Sequence, residues 1–501
     1  MYFKKWISDL LLESNLIKDH NDIQYISFVP VPPYDNFDCA IRCKRIPYNS
    51  GELLDNFHSP FVKRICLFGN YYNVLFNIGG MKKLLVDIAS DEDYGYFNAF
   101  VGQYVTVEHT SMTPVYPINL ATYRSSVLGS AIAAALGLLG ANVKTHYFVE
   151  DTARQLYLLS QGTLNCMSNW QCDGKIDHTI GRIFTISYLL TKGLKPDDKV
   201  IDRMFPLANK NVNIDSLKEK DVSQEYFSEL SRLCLKGHEK TLNDSFANID
   251  CFDFERELLG NVDFSIFTNA LEIKQLFETD TLPYHVKNAI YYANLKLHSD
   301  IVFSIVSSRQ REVIKKSLKE LSNPLGIKVI HFGDVVVLHD GKRVIDSIRQ
   351  GVFSSVDQYF INLSSMCAAS QSQVCAAIRY QMLSCRSEDT CVLDENSQAA
   401  IGLITNYEKL IHQLNEHSCN ASKTEDTSIL HSIVKEICRF EEIVRSFATN
   451  FSYPKLITYV ENLAKLLCES IENSSISPAI AVSSKRVLEN AFRLMGMNTF
   501  I

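Results

Sequence analysis

The loop 113–122 carries the side chains that are best placed for nucleotide chemistry, because it joins a strand-like run to an Ala-rich helical pattern. In α/β proteins such a helix start binds phosphate, since its free N–H groups and its dipole attract anions. This loop, however, has no glycine, lysine or histidine. Asn119 and Thr122 can donate hydrogen bonds but bring no charge. The residues alone therefore favour an ordinary helix cap, formed by Thr122 or Ser125.

Two other groupings could do chemistry. Asp177 and His178 are adjacent and could form half of an acid/base or metal pair, but no third ligand follows at metal spacing, so a structural role is favoured. The fourteen cysteines include no Cys-x-x-Cys pair. They are typical of reduced, mostly buried thiols in a cytoplasmic protein rather than of a zinc site, and we expect no metal.

The elements that would position these residues fall into three parts. Residues 1–100 mix a short helix with strand-like runs and form a small α+β module. Residues 101–365 follow a strand, loop, helix, strand order, which predicts a Rossmann-like parallel sheet, interrupted by a mainly helical insertion at about 160–262. A hairpin is predicted around Asp340-Gly341. Residues 366–501 contain amphipathic helices and no predicted strand, so they form an all-α bundle.

The net charge and the lack of long apolar segments limit the kinds of partner that the sequence predicts. The net charge of −7 gives no general attraction to nucleic acid, so DNA is not expected and RNA would need a local basic patch. No window approaches 18 apolar residues, so no membrane span is expected.

Specific strings then resemble, in order, segments of the arginyl-tRNA synthetases, a class I family, in their archaeal style. They include "VEHTSMTP", "YFVEDTARQLYLLSQG", "KIDHTIGRIF" and "LKGHEKTLNDSFANIDCFDFERE". "AAIRYQMLSCRSED" resembles the Asp-Ala-hydrophobic-Arg (DALR) element of the anticodon-binding domain, with Arg379 kept and Ala376 in place of the acid. The resemblance implies an N-terminal add-on domain, a class I catalytic domain and an anticodon-binding helical domain.

Both class I signature motifs depart from this family. Asn119, Ala121 and Thr122 stand where the HIGH motif would place His, Gly and His. In the KMSK loop, "DSIRQG" keeps Ser347 and Arg349 but has Gln350 at the second lysine. Amino-acid activation builds negative charge on the α-phosphate of ATP, so losing these cations and donors removes most of the expected catalysis.

The amino-acid pocket implied by the resemblance is mixed. It keeps a glutamate, a tyrosine and a glutamine, but an asparagine replaces the aspartate that would share the charge of a guanidinium. Glu150 also replaces the asparagine before Asp151. The implied pocket residues are Ser111, Thr113, Glu255, Tyr284, Asn288 and Gln310.

Three functions follow. The favoured hypothesis is a catalytically degenerate paralogue, retained to bind tRNA, another synthetase or translation factor, or a small ligand. The alternative is an active but divergent arginine–tRNA ligase, with ATP and Mg²⁺ as cofactors and tRNA as partner. A third is a repurposed nucleotide-fold enzyme, for which the sequence offers no new nucleophile or metal set.

Overall fold

The computed structural model divides the chain into two compact units. It describes residues 12, 26–29, 37, 39–43, 62–68, 71–167, 169–171, 173–277, 282–339, 342–344, 352–394, 397–418, 427–473 and 476–497. The terminal unit comprises Met1–Ala99, Thr405–Leu494 and Phe500–Ile501, and the central unit comprises Phe100–Ile404 and Met495–Thr499. The three-domain division at 100 and 365 stays a prediction.

The terminal unit begins with an antiparallel sheet in the strand order β1-β2-β4-β3. Its strands are β1 (Ile26–Val29), β2 (Cys39–Cys43), β3 (Val62–Phe68) and β4 (Tyr71–Phe76). Helix α1 (Ile78–Ser90) follows, and the Asn77 side chain caps it by accepting a hydrogen bond from Gly80 N at 2.7 Å.

The centre of the other unit is a five-stranded parallel sheet, as predicted. Its strands are β5 (Tyr104–Glu108), β6 (Asn142–Val149), β7 (Cys251–Phe254), β8 (Ile301–Ser307) and β9 (Ile327–Phe332), in the order β7-β6-β5-β8-β9. The chain builds outward from β5 to β7 and then returns to β8 on the other side of β5. Such a reversal opens a crevice at the carboxyl ends of the central strands, where ligands bind in open α/β sheets.

Helices flank and connect these strands. The principal ones are α2 (Leu120–Leu138), α3 (Arg154–Asn165), α4 (Ile176–Thr191), α5 (Asp198–Met204), α6 (Gln224–Asp244), α7 (Glu255–Leu259), α8 (Ala270–Phe277), α9 (Tyr284–Leu297) and α10 (Arg311–Glu320). Helices α3 to α6 share a buried core around Ile183 and Phe205.

The sequence interpretation missed two strands. Strand β7 belongs to the main sheet, although it lies within the predicted insertion at 160–262, and the other strand lies in a second sheet. A second sheet of the central unit contains β10 (Val335–His339), β11 (Lys342–Val344) and β12 (Cys391–Asp394), in the order β11-β10-β12. Strands β10 and β11 pair antiparallel as the predicted hairpin requires, although Asp340-Gly341 lies outside the described residues. The expectation that strands end at about 365 is wrong, because the short apolar run at 391–394 pairs in parallel with β10.

The remaining elements are helices. They are α11 (Val356–Cys367), α12 (Gln371–Ser384), α13 (Gln398–Ser418), α14 (Thr427–Asn450), α15 (Tyr453–Glu472) and α16 (Pro478–Leu494). Within the terminal unit, α16 packs on α1, and Ser483 donates a hydrogen bond to Leu85 O at 2.8 Å. Among the helices that the structure describes, none combines the length and the apolarity that a bilayer crossing needs.

A strained turn connects β5 to α2. Thr110 has φ of 68°, the left-handed region that a β-branched residue rarely adopts. Two serines of α2 hold it there: Ser125 Oγ accepts from Thr110 N at 3.0 Å, and Ser126 Oγ lies 2.7 Å from Thr110 Oγ1. The loop that follows β5 is thus fastened to the helix that it precedes.

Two glycines of α2 offer a matched test of this packing. A Cβ on Gly129 would lie 2.5 Å from the buried His109 ring, whereas a Cβ on Gly137 would meet nothing within 4 Å. Gly129→Ala should therefore destabilise the fold by about 1–3 kcal/mol, as overpacking does. Gly137→Ala should stabilise it by about 0.5–1 kcal/mol through helix propensity. Urea unfolding followed by circular dichroism measures both, and equal effects of the two substitutions would contradict this packing.

Candidate functional site

A pocket of about 310 Å³ opens at the carboxyl ends of β5, β6 and β8. Its walls come from the loop after β5, the end of β6, the first turns of α9 and the segment after β8. The polar lining residues that matter here are Glu108, Ser111, Thr122, Ser125, Glu150, Tyr284, Asn288, Arg309 and Gln310. Four predicted pocket residues, Ser111, Tyr284, Asn288 and Gln310, are therefore brought together.

Glu150 is the centre of the polar wall. Its Oε1 accepts a hydrogen bond from the Tyr284 hydroxyl at 2.7 Å, and its Oε2 accepts one from Thr113 Oγ1 at 2.7 Å. Gln310 Nε2 in turn donates to the Tyr284 hydroxyl at 3.3 Å. Burial and the Glu150 carboxylate raise the pKa of Tyr284, so that this hydroxyl remains a neutral donor. Thr113 thus joins the site through Glu150.

Glu108 lies at the pocket floor and was missed from the sequence. It is the last residue of β5, is buried, and accepts hydrogen bonds from Ser111 Oγ and from Ser304 Oγ on the neighbouring β8. Burial raises the pKa of Glu108 to about 7, although these two hydrogen bonds lower it. The one indication of Glu108 in the sequence was its place in "VEHTSMTP", the string at the end of the strand-like run.

Glu255, another predicted pocket residue, forms an ion pair with Lys287. It opens α7, is buried, and its Oε1 lies 2.8 Å from Lys287 Nζ on α9, while Thr152 Oγ1 donates to its other oxygen. Lys287 Nζ also donates to Thr152 Oγ1 at 2.9 Å. A buried carboxylate needs such a partner. Glu255 thus joins α7 to α9, and its charge is already balanced by a lysine.

The start of α2 is capped by Asn119, not by Thr122 or Ser125. Asn119 Oδ1 accepts a hydrogen bond from Thr122 N at 2.8 Å, the usual geometry of an N-cap. Ser125 Oγ instead donates to Thr122 O at 2.9 Å and accepts from the strained Thr110. The reason for the correction is spacing, since a cap bonds the amide three residues later.

A segment beyond the predicted KMSK position closes over this helix start. Leu120 N donates to Ser354 O at 3.2 Å, Val356 N donates to Ile118 O at 3.0 Å, and Asn119 pairs with Ser355 as an antiparallel bridge. Ser347, Arg349 and Gln350 themselves lie outside the described residues. Two of the first three helical N–H groups of α2 therefore already have protein partners.

Asp177 and His178 belong to a buried network that fixes α11. Lys175 Nζ lies 3.0 Å from Asp177 Oδ2 and 2.7 Å from Asp357 Oδ2, and His178 Nε2 lies 3.2 Å from the same Asp357 oxygen. These contacts lower the pKa of Asp357. Among the residues with described coordinates, no group of three potential metal ligands occurs.

The pH dependence of stability tests the Glu108 environment. Because its folded pKa of about 7 lies above the ordinary value of 4.5, the native state holds this proton while the unfolded chain releases it. Stability is therefore lost as the pH rises from 4.5 to 7, by about 3 kcal/mol. In Glu108→Gln this loss should disappear, as measured by urea unfolding at pH 5 and pH 7.5. Glu312→Gln, on exposed α10, controls for removing one charge; the same slope in wild type and Glu108→Gln would contradict this environment.

Known proteins resemble this chain in sequence. No family model matches the chain. It is 23% identical over 390 residues to the arginine–tRNA ligase of Methanobrevibacter smithii, covering 71% of this chain and 65% of that one. It is 24% identical over 353 residues to that of Methanothermobacter thermautotrophicus, covering 64% and 60%. The chain thus spans somewhat less than two thirds of the length of these relatives.

Solved structures agree on the fold. The arginyl-tRNA synthetase of Thermus thermophilus matches with a TM-score of 0.66 at 14% identity, over 98% of both chains. That of Plasmodium falciparum matches with a TM-score of 0.65 at 12% identity, again over 98% of both. The chain is thus similar in sequence to the arginine–tRNA ligases and has the fold of the arginyl-tRNA synthetases.

Proposed function

We propose that this protein binds a cationic amino acid in the pocket at the carboxyl ends of β5, β6 and β8 but does not activate it with ATP. Its function would then be that of a degenerate ligase homologue, retained for binding. The observation that carries this proposal is the start of α2, where the protein itself uses the groups that an ATP phosphate would need.

Within the described residues, the start of α2 leaves few N–H donors for a phosphate. Activation requires fixed cations and N–H donors near the α-phosphate of ATP. At α2, the Leu120 N–H and the Thr122 N–H donate to Ser354 O and Asn119 Oδ1 instead. Ala121 adds a methyl group where a glycine would let a nucleotide approach the backbone. These residues do not fit an activating ATP site.

Two arginines near the pocket, Arg124 and Arg309, already have protein partners. Arg124, on the first turn and a half of α2, donates its guanidinium hydrogens to backbone carbonyls, including Gly333 O at 3.0 Å. Arg309, at the pocket edge, lies 2.8 Å from Asp334 Oδ2. A guanidinium that is paired in this way is a poor substitute for a free cation at a developing negative charge.

The amino-acid side of the site keeps its negative charge. Asn288 stands where the resemblance implies a carboxylate, but Glu150 also lines the pocket and supplies one, to which the Tyr284 hydroxyl donates at 2.7 Å. Glu108 adds a second carboxyl group beneath. A guanidinium or ammonium group would find both charge and hydrogen-bond acceptors here. The names of the relatives specify arginine, which supports arginine as the first ligand to test.

Binding of tRNA is part of the same proposal. The names of the relatives specify tRNA as their substrate. This chain is acidic overall, with a net charge of −7, so such binding would depend on local basic surface and fall steeply with salt. A second synthetase or a translation factor could share that complex.

The decisive experiment separates binding from activation. With arginine, ATP and tRNA present, ATP–pyrophosphate exchange and arginyl-tRNA formation should be at least about 10³-fold below those of a motif-complete ligase, because several transition-state donors are missing together. Robust arginyl-tRNA formation would overturn the proposal in favour of an active, divergent ligase. Adding Asn119→His, Ala121→Gly and Thr122→His together tests whether the signature loop alone limits activity.

Calorimetry tests the pocket independently. Arginine should bind, and citrulline, its neutral analogue, should bind at least about tenfold more weakly, because only the guanidinium is charge-paired. Glu150→Gln should weaken arginine binding by about tenfold to a hundredfold. Glu257→Gln, an exposed carboxylate of α7, serves as the control. Equal affinity for arginine and citrulline would refute the assigned charge recognition.

A further inference from the structure

A second reactive cluster lies between α12 and β12, where two thiols meet. Cys385 directly follows α12, and Cys391 begins β12. Asp389 N donates to Arg386 O at 3.1 Å, so the chain between the two cysteines turns back and forms a short loop, 386–390. The turn brings the two cysteines near each other, and both are free.

Arg124 of α2 occupies the inside of this loop. Its Nη2 donates to Arg386 O at 2.9 Å, and its Nη1 donates to Asp389 O at 2.5 Å. The Arg124 side chain is fully buried, so these bonds are not exchanged with water. Cys391 N also donates to Asp334 O at 2.8 Å, which fixes the other end of the loop. The approach of the two thiols is therefore imposed by the surrounding structure.

The two thiols differ in the way that a reactive pair requires. Cys385 is half-buried, whereas Cys391 is fully buried. The neighbouring Cys391 thiol and the charge of Arg124 lower the pKa of Cys385 to about 6, while the pKa of Cys391 is raised. A thiolate that is reachable and lies beside a second thiol is the arrangement found in redox-sensitive cysteine pairs.

We propose that Cys385 and Cys391 form an oxidation site that hydroperoxides convert to a disulfide. The Cys385 thiolate attacks one oxygen of hydrogen peroxide, the O–O bond breaks, and a sulfenic acid and hydroxide form. The Cys391 sulfur then attacks the Cys385 sulfur, its proton and the hydroxyl group leave as water, and the S–S bond forms. Two thiols are oxidised, and one peroxide is reduced to two waters.

The position of the loop connects this chemistry to the amino-acid pocket. Ser387 O accepts from Gly333 N at 2.8 Å, and Glu388 Oε1 lies 2.9 Å from Arg311 of α10. Asp334, next to Gly333, pairs with Arg309 of the pocket wall at 2.8 Å. A disulfide would brace the loop that supports this wall, so oxidation is placed to tune the pocket. The oxidation chemistry itself does not depend on the proposed function.

Peptide mapping of the whole chain tests the site directly. Trypsin cleaves after Arg386, so a Cys385–Cys391 disulfide would join peptides 380–386 and 387–409, each with a single cysteine. After limited peroxide treatment, alkylation and digestion, this joined pair should be the main oxidised product and should separate on reduction.

An exposed cysteine provides the internal reference for the rate. Burial raises the pKa of Cys468, which lies alone in peptide 466–485. Cys385 should lose its free thiol about threefold to tenfold faster at pH 7, because its larger thiolate fraction outweighs the lower nucleophilicity of a more acidic thiol. Oxidation of Cys468 before Cys385 would overturn the proposal.

Three variants separate the two roles. In Cys391→Ser the joined peptides should be absent and Cys385 should stop at a sulfenic acid that dimedone traps. In Cys385→Ser the buried Cys391 should stay reduced, whereas Cys468→Ser should still give the joined peptides. If Cys385 is oxidised in wild type without forming the joined pair, Cys391 is not its partner and the proposal fails.

Discussion

The buried guanidinium of Arg124 is the interaction on which the central unit depends. It donates to four backbone carbonyls, those of Gly333, Asp334, Arg386 and Asp389. A buried guanidinium needs hydrogen-bond acceptors, so these two chain segments must converge on α2. Their convergence sets the turn between β9 and β10, the loop before β12 and, through Asp334, the arginine at the pocket edge.

Under the proposed function, the site has a phosphate half and an amino-acid half, and different parts of the fold build them. The phosphate half depends on unsatisfied donors at the start of α2, and a capping asparagine with a neighbouring strand-like segment can satisfy them without disturbing the sheet. The amino-acid half depends on side chains at the ends of β5 and β6. There the carboxylates Glu108 and Glu150 are held by hydroxyl donors from three other elements. The two halves are therefore held by different contacts.

Local patterns predicted the parts of the fold that local physics controls. The strand, loop, helix, strand order after residue 101 predicted a parallel sheet, which includes β5 and β8. The Ala-rich pattern after the loop predicted a helix, which runs over Leu120–Leu138. The run 391–394 was missed because four residues give no usable period, and only its pairing with β10 makes it a strand. Likewise, nothing local distinguishes Asn119 from Thr122 as the cap until the helix start is known.

By itself, the sequence determined the resemblance to the arginyl-tRNA synthetases, most of the elements and the absence of charged groups from the loop 113–122, because these properties lie in contiguous residues. Only the tertiary structure decided which carboxylates serve the pocket. The sequence places Glu255 in the pocket, and only the structure shows its ion pair with Lys287 of α9. The sequence places Glu108 in a strand, and only the structure shows that it is buried and accepts a hydrogen bond from Ser304 of β8. The physical reason is the same in both cases: the state of a buried charge is set by partners that are distant in the chain.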